Sequence, residues 1–124
     1  MSDEVTVNYG LAVRKGSLVF SYPQNSLKVD MTGNAKVGNT QNIGTTFSGL
    51  NVAGATVSPR YGVFANLSSV SGQYIDVGAS ISGAFVPVMR LYDGDVAILP
   101  LQTLSLYAQA GSGTAKLDYT IFEK

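Results

Sequence analysis

Residues 104–121 read LSLYAQAGSGTAKLDYTI, and their pattern of side chains indicates the fold class. Apolar and polar residues alternate over 104–110 and again over 116–121, on either side of the segment Gly111-Ser112-Gly113. A side-chain period of two residues is typical of a strand with one buried and one solvated face. The stretch therefore predicts two strands that flank a turn.

The same alternation recurs near the start of the chain, over residues 5–13, 18–22 and 27–32. Further strands are predicted over 42–47, 55–57, 61–66 and 73–78. Fourteen glycines and four prolines interrupt the 124 residues, and both weaken helix interiors, so helices of ordinary length are not expected. About nine or ten short strands predict an all-β fold, either an antiparallel two-sheet sandwich of jelly-roll type or a small barrel.

Two segments, residues 84–91 and 96–101, are apolar on both faces. Residues 92–95, YDGD, join them, and Asp-Gly supplies the positive φ that a type I′ hairpin turn requires. We therefore predict a hairpin that is covered on both sides, either centrally in the fold or by a neighbouring subunit.

The distribution of turn-forming residues also indicates the domain organisation. Residues 32–54 are rich in Gly, Asn and Thr and predict a loop excursion or flexible arm in the middle of the fold. We predict a single β domain over residues 1–124, with residues 1–10 as a candidate extended N-terminal arm.

The charge balance argues against two classes of partner. Only 13% of the residues are charged, and eight basic and eight acidic residues give a formal net charge of zero. No basic stripe is present to bind nucleic acid, and no polybasic segment flanks an apolar run to bind a membrane. The N-terminus has neither the basic start nor the apolar stretch of a signal peptide, so we expect synthesis in the cytoplasm without secretion by that route.

The residue types also restrict the chemistry. The chain has no histidine and no cysteine, which removes the commonest general base, the thiol nucleophile and most transition-metal ligands. We therefore expect no enzymatic activity and no cofactor. Two alternatives remain open: a glycosidase-like pair of carboxylates, which needs a set spacing across a sugar, and calcium binding by Asp93 and Asp95, for which a plain turn is the simpler explanation.

Seven tyrosines and five phenylalanines are the remaining candidates for a binding surface. Tyr107 falls on the polar face of its predicted strand, and Tyr61 and Tyr92 flank turns. Exposed aromatic side chains could stack on sugars or anchor a subunit interface, whereas most aromatic residues belong to the core.

Several segments resemble small proteins encoded among the virion genes of tailed bacteriophages. They are residues 29–33, 40–46, 61–67, 74–78, 85–91, 94–97, 99–101, 108–110 and 117–123. These are strand and turn patterns without a catalytic signature. The resemblance implies a β-sandwich virion protein: a capsid decoration (cement) protein, a minor tail protein or a fibre module, assembled in the host cytoplasm.

We accordingly expect a non-enzymatic capsid decoration protein that binds the major capsid protein and stabilises the head. The alternative is a tail-tip or fibre module that binds carbohydrate or a host receptor. The resemblance also implies a homo-oligomer, with a trimer favoured. The residues expected to contact a partner are Val5, Val7, Tyr9, Asn42, Tyr92, Asp93 and Tyr107.

Overall fold

The computed structural model describes residues 5–29, 36–52 and 59–123. The chain divides into two compact units, residues 1–32 and 33–124. No helix occurs in the described ranges, so the all-β prediction is confirmed. The strands are β1 (Val5–Lys15), β2 (Leu18–Val29), β3 (Lys36–Ile43), β4 (Ser48–Gly49), β5 (Pro59–Asn66), β6 (Ile75–Ile81), β7 (Ala84–Leu91), β8 (Val96–Pro100), β9 (Tyr107–Ala110) and β10 (Ala115–Glu123).

The first unit contains a hairpin in which β1 and β2 pair antiparallel around the turn at Gly16 and Ser17. The register shifts between Tyr9 and Leu11, where Gly10 faces two residues of β2, Pro23 and Gln24. The alternating sequences 18–22 and 27–29 are out of phase by one residue, and this bulge brings both into register with the single alternation of β1. Residues 30–32 of the strand predicted over 27–32 lie outside the described residues.

The second unit consists of two four-stranded antiparallel sheets. The first sheet has the strand order β3-β10-β5-β8 and the second has the order β4-β9-β6-β7. Consecutive strands change sheet at every connection except the one between β6 and β7. This is the topology of an eight-stranded jelly roll, so the two-sheet sandwich is confirmed and the small barrel is wrong.

The core lies between the two sheets, and β10 supplies one side of it. Its alternate residues Ala115, Leu117, Tyr119 and Ile121 are all buried, as the alternation predicts. They face buried side chains of the second sheet, which are Ile75, Val77, Leu91, Ala108 and Ala110. The predicted strand over 104–110 is shorter than expected: Leu104 and Leu106 pack against the core, but β9 begins at Tyr107.

The predicted hairpin over 84–101 is wrong. Strand β7 pairs with β6 and strand β8 pairs with β5, so the connection between them crosses from one sheet to the other. In the turn at 92–95, Gly94 has φ +82° and Asp93 has no positive φ, a pattern that fits a type II turn and excludes type I′. Strands β7 and β8 are edge strands of their sheets, so the central position predicted for the hairpin is also wrong.

Asn66 holds this crossing connection in place. Its side-chain amide donates hydrogen bonds to the carbonyl oxygens of Gln73 (3.1 Å) and Leu91 (2.9 Å), and its Oδ1 accepts one from the Ser68 N–H. Its backbone exchanges two more bonds with Gly94 and Asp95. Asn66 is buried, and these bonds satisfy its polar groups.

The Gly/Asn-rich segment also differs from the prediction. Residues 36–43 are not a loop excursion; they form β3, which pairs with β10 along its whole length. Gly38 permits this close pairing, because a Cβ at this position would lie 2.9 Å from the Thr120 Oγ1 atom. Residues 44–47 connect β3 to β4, residues 61–66 and 75–78 are strands as expected, and the strand predicted over 55–57 lies outside the described residues.

We predict that Gly78→Ala destabilises the second sheet strongly. A methyl group at this position would overlap the carbonyl oxygen of Val86 and lie 2.7 Å from the Cα atom of Pro87. Because both obstacles are backbone atoms, the strand pair must shift, and we expect a loss of about 3 kcal/mol in the free energy of unfolding, measured with urea.

The matched control is Gly44→Ala, since nothing lies within 4 Å of a Cβ there. We expect it to change the free energy of unfolding by less than about 1 kcal/mol. Equal effects of the two substitutions would contradict the close approach of β6 and β7 at Gly78.

A second prediction concerns Tyr119, whose hydroxyl lies 2.8 Å from the Asn51 carbonyl oxygen and 2.9 Å from Gln41 Oε1. Burial raises the pKa of Tyr119, and the hydrogen bond to Asn51 offsets part of this effect. The folded state therefore holds the tyrosine proton more tightly than the unfolded state does. This contribution to stability is complete below the unfolded pKa of about 10 and is lost as the pH rises through the folded-state pKa.

We expect the free energy of unfolding of the wild type to fall more steeply above pH 10 than that of Tyr119→Phe. At neutral pH, Tyr119→Phe costs about 1 kcal/mol because a buried hydrogen bond is lost. Tyr92→Phe, at an exposed position, is the control for the removal of a tyrosine hydroxyl. A Tyr119→Phe profile parallel to that of the wild type would refute the prediction.

Candidate interaction surface

Three of the residues predicted to contact a partner lie on β1. The register pairs Val5 with Val29, Val7 with Leu27 and Tyr9 with Asn25. Alternate positions of a strand share a face, so these three residues lie on the same side of the hairpin. Val7 is half-buried and Tyr9 is exposed.

Asn42 and Tyr107 lie on opposite sides of the sandwich. Asn42 is exposed on the first sheet, where it pairs with Lys116, and its neighbour Ile43 enters the core. Tyr107 lies on the second sheet next to the buried Ala108, so its ring faces away from the core. It is half-buried rather than exposed, because it packs edge-on against Phe47 with 5.9 Å between ring centroids.

Tyr92 belongs to a small aromatic and charged cluster at the end of β7. Its ring meets Tyr74 edge-on at 5.8 Å, and the guanidinium of Arg90 lies 3.8 Å from the centroid of the Tyr74 ring. Arg90 also donates two hydrogen bonds to the Asp76 carboxylate, of 2.8 and 3.0 Å. Hydrogen bonds to Asp76 and Tyr92 raise the pKa of Arg90 further above its ordinary value.

Asp93 and Asp95, the residues of the calcium alternative, both accept backbone hydrogen bonds. Asp93 Oδ1 accepts from the Gly72 N–H at 3.0 Å, and Asp95 Oδ2 accepts from the Tyr92 N–H at 2.9 Å. In the described part of the chain, no group of three or more acidic residues is arranged to hold a metal ion. The two carboxylates therefore shape the turn in this structure.

One group of exposed aliphatic residues of the sandwich was not among the predicted contact residues. It lies where β7 and β8 end their two sheets, and we call it the β7–β8 edge. Its members are Val86 (43% exposed), Val88 (80%), Val96 (61%) and Ile98 (50%). The sequence feature that indicated this surface is the pair of segments that are apolar on both faces, residues 84–91 and 96–101.

The two faces of β8 explain this exposure. Ala97 and Leu99 pack against the core, so the alternate residues Val96 and Ile98 point away from it. Val88 is the extra residue of a bulge in β7, where the pairing with β6 passes from Met89 to Pro87. It is therefore displaced from the regular alternation of its strand.

The opposite edge of the sandwich is polar. There β3 and β4 end the two sheets, and we call this the β3–β4 edge. Its exposed residues are Lys36, Asn39, Thr40, Asn42 and Ser48. Each of the two edges is formed by the outermost strands of both sheets, but one edge is polar and the other is apolar. Exposed aliphatic residues are therefore not a general property of the edges of this sandwich.

The β7–β8 edge is suited to contact through side chains and not to the addition of another strand. Pro87 and Pro100 lie on its two strands, and proline has no N–H to donate to a neighbouring strand. The bulge at Val88 interrupts the edge further. Prolines and bulges of this kind protect sheet edges against uncontrolled pairing.

We predict that the exposed residues of this edge contribute little to folding. Val88→Ser should change the free energy of unfolding by less than about 0.5 kcal/mol, as is usual for surface positions. Leu91→Ala, at a buried position of the same strand, should cost about 2 to 5 kcal/mol because it leaves a cavity. Urea unfolding of both variants measures the contrast, and a comparable loss from Val88→Ser would mean that Val88 supports the fold.

No family model, no curated protein and no solved structure matches this chain. Within the described residues, no helix has the length and apolar character needed to cross a membrane. The function is therefore inferred from the surfaces described above together with the resemblance of the strand and turn segments.

Proposed function

We propose that this chain is a non-enzymatic structural protein of the bacteriophage particle, and specifically a capsid decoration protein that binds the major capsid protein and stabilises the head. The observation that carries the proposal is the β7–β8 edge, where four aliphatic side chains are exposed on a chain with few charges. The resemblance of roughly residues 27–123 to small virion proteins supplies the class of partner.

The exposed edge has the chemistry of a protein interface. The four side chains together expose roughly 400 Å² of apolar surface, distributed over the edge strands of the two sheets. None of the four is charged, and the cores of protein interfaces are depleted of charged residues. Exposed aliphatic side chains without charge, as on these two edge strands, support contact with another protein.

The jelly-roll fold is compatible with a capsid decoration protein but is not specific to one. Jelly rolls occur among viral capsid domains and also among lectins, and one fold serves many functions. A decoration protein occupies a shell in many copies, so each copy needs to bury only a modest area for the layer as a whole to bind firmly. The exposed aliphatic side chains of the β7–β8 edge are compatible with such a contact.

The test is reconstitution of purified heads that lack this protein. We expect wild-type protein to bind the heads in many copies and to raise the temperature at which they release DNA. Val96→Glu with Ile98→Glu should weaken binding at least about 100-fold, because two charges would be buried in an apolar contact. Thr46→Glu, at an exposed position in the connection of the β3–β4 edge, is the control and should bind like the wild type.

Two results would overturn the proposal. One is that heads without the protein are as complete and as heat-stable as wild-type heads. The other is that the doubly substituted protein binds as tightly as the control, which would exclude the β7–β8 edge as the binding surface.

The second candidate is a tail-tip or fibre module that binds carbohydrate. Exposed Tyr92 beside Tyr74 and Arg90 favours it, because sugars stack on aromatic rings and bond to charged groups at their rim. Cryo-electron microscopy of the particle separates the two candidates. Many copies on the head support the decoration protein, and a few copies at the tail tip support the carbohydrate-binding module.

A further inference from the structure

Asp93-Gly94 is the one position in the sequence where glycine follows an aspartate. The other aspartates precede residues that carry a side chain; they are Asp3, Asp30, Asp76, Asp95 and Asp118. Glycine has no Cβ to shield its amide nitrogen, so this nitrogen can reach the carboxyl carbon of the aspartate before it. The Asp-Gly sequence is therefore the point where the backbone of this chain is most open to chemical rearrangement.

The rearrangement passes through a five-membered ring. The Gly94 nitrogen forms a bond to the Cγ atom of protonated Asp93, and the Cγ hydroxyl leaves with the amide proton as water. A water molecule then opens the ring. Opening at Cγ restores aspartate, whereas opening at the main-chain carbonyl carbon leaves the chain connected through Cγ, which is isoaspartate. No atom is gained or lost overall, and the backbone becomes one methylene group longer.

In the folded chain, hydrogen bonds hold both reacting groups. The Gly94 N–H donates to the carbonyl oxygen of the buried Asn66 at 3.1 Å. The Asp93 Oδ1 atom accepts from the Gly72 N–H at 3.0 Å. Ring closure needs the Gly94 proton to leave and the Asp93 carboxyl group to turn towards the Gly94 nitrogen. Each of these two changes breaks one of the hydrogen bonds.

Two further hydrogen bonds close the same turn. Asp95 Oδ2 accepts from the Tyr92 N–H, and the Asp95 N–H donates to the Tyr92 carbonyl oxygen, both at 2.9 Å. Residues 92–95 are thus held as one unit, and the ring can form only when this unit opens. Local openings of this kind need less free energy than global unfolding does.

We propose that Asp93 is a site of isoaspartate formation, and that the crossing connection keeps this site closed while the turn at 92–95 is intact. The contacts that close the site all lie within the second unit. The modification requires neither a partner nor the role in the particle proposed above.

Isoaspartate at this position would disturb the connection between the two strands of the β7–β8 edge. Strand β7 ends at Leu91 and β8 begins at Val96, so the connection is short. Asn66 bonds to its backbone at two points, the Gly94 N–H and the Asp95 carbonyl oxygen. A methylene group inserted between these residues and Tyr92 changes their spacing, and we expect the modified chain to unfold at a lower urea concentration.

The first test compares the wild-type chain stored in buffer with the same chain stored in concentrated guanidinium chloride, both at mildly acidic pH. An isoaspartyl methyltransferase labels the product, and peptide mapping locates it. In the denaturant we expect isoaspartate at position 93 and little at the other aspartates. In buffer we expect it to accumulate at least about 10-fold more slowly, because the reaction then depends on the small population of open turns.

The second test loosens the turn without changing the reacting pair. Asp95→Ala removes the acceptor of the Tyr92 N–H bond at an exposed position. We expect isoaspartate to form about 5-fold faster in the folded variant, as the loss of one hydrogen bond implies. Asp95→Asn is the matched control: it removes the charge, keeps an acceptor oxygen and should react like the wild type.

For each chain, the rate in buffer is divided by the rate in denaturant, which removes any effect of residue 95 on the chemistry itself. Circular dichroism verifies that both variants keep the sandwich. A wild-type chain that forms isoaspartate equally fast in buffer and in denaturant would show that the turn does not close the site. Absence of isoaspartate at position 93 in denaturant would refute the site, and equal rates for Asp95→Ala and Asp95→Asn would refute the role of the turn hydrogen bond.

Discussion

Every sheet in this protein must bury one face, and the two units meet this constraint to different degrees. In the sandwich, the inward side chains of β10 pack against those of β6, β7 and β9, so the two sheets cover each other. In the hairpin, Leu11, Leu18 and Phe20 remain exposed. The same alternation of side chains therefore produces a closed core in one unit and leaves these three apolar side chains exposed in the other.

The regular parts of the fold were predictable from sequence because alternation is a local property. The buried face of β10 follows directly from residues 115–121. The connection between β7 and β8 was not predictable, because Asp-Gly suits a hairpin as well as a turn that crosses between sheets. Contacts from Asn66, at a distant position in the sequence, hold the crossing. Likewise β3 was mistaken for a loop, since its pairing with β10 compensates for its poor strand-forming residues.

The candidate surface was predictable only in part. Segments that are apolar on both faces indicated that something must cover them, and the exposed Val88, Val96 and Ile98 lie in these segments. The choice of Tyr107 rested on its place in the alternation, but packing against Phe47 leaves its ring half-buried. Exposure depends on neighbours far away in sequence, so the pattern of one strand identifies a face but not how much of that face remains free.

The hydrogen bonds of Asn66 have a consequence for producing the protein. Asn66-Leu67-Ser68 is an acceptor triplet for N-linked glycosylation. In the folded chain the amide nitrogen is buried and already donates to two carbonyl oxygens, so an oligosaccharyltransferase could modify it only before folding. A glycan attached at that stage would remove a donor from the centre of the crossing connection and would have no space in the core. Expression through a eukaryotic secretory pathway is therefore expected to yield misfolded protein unless Ser68 is replaced.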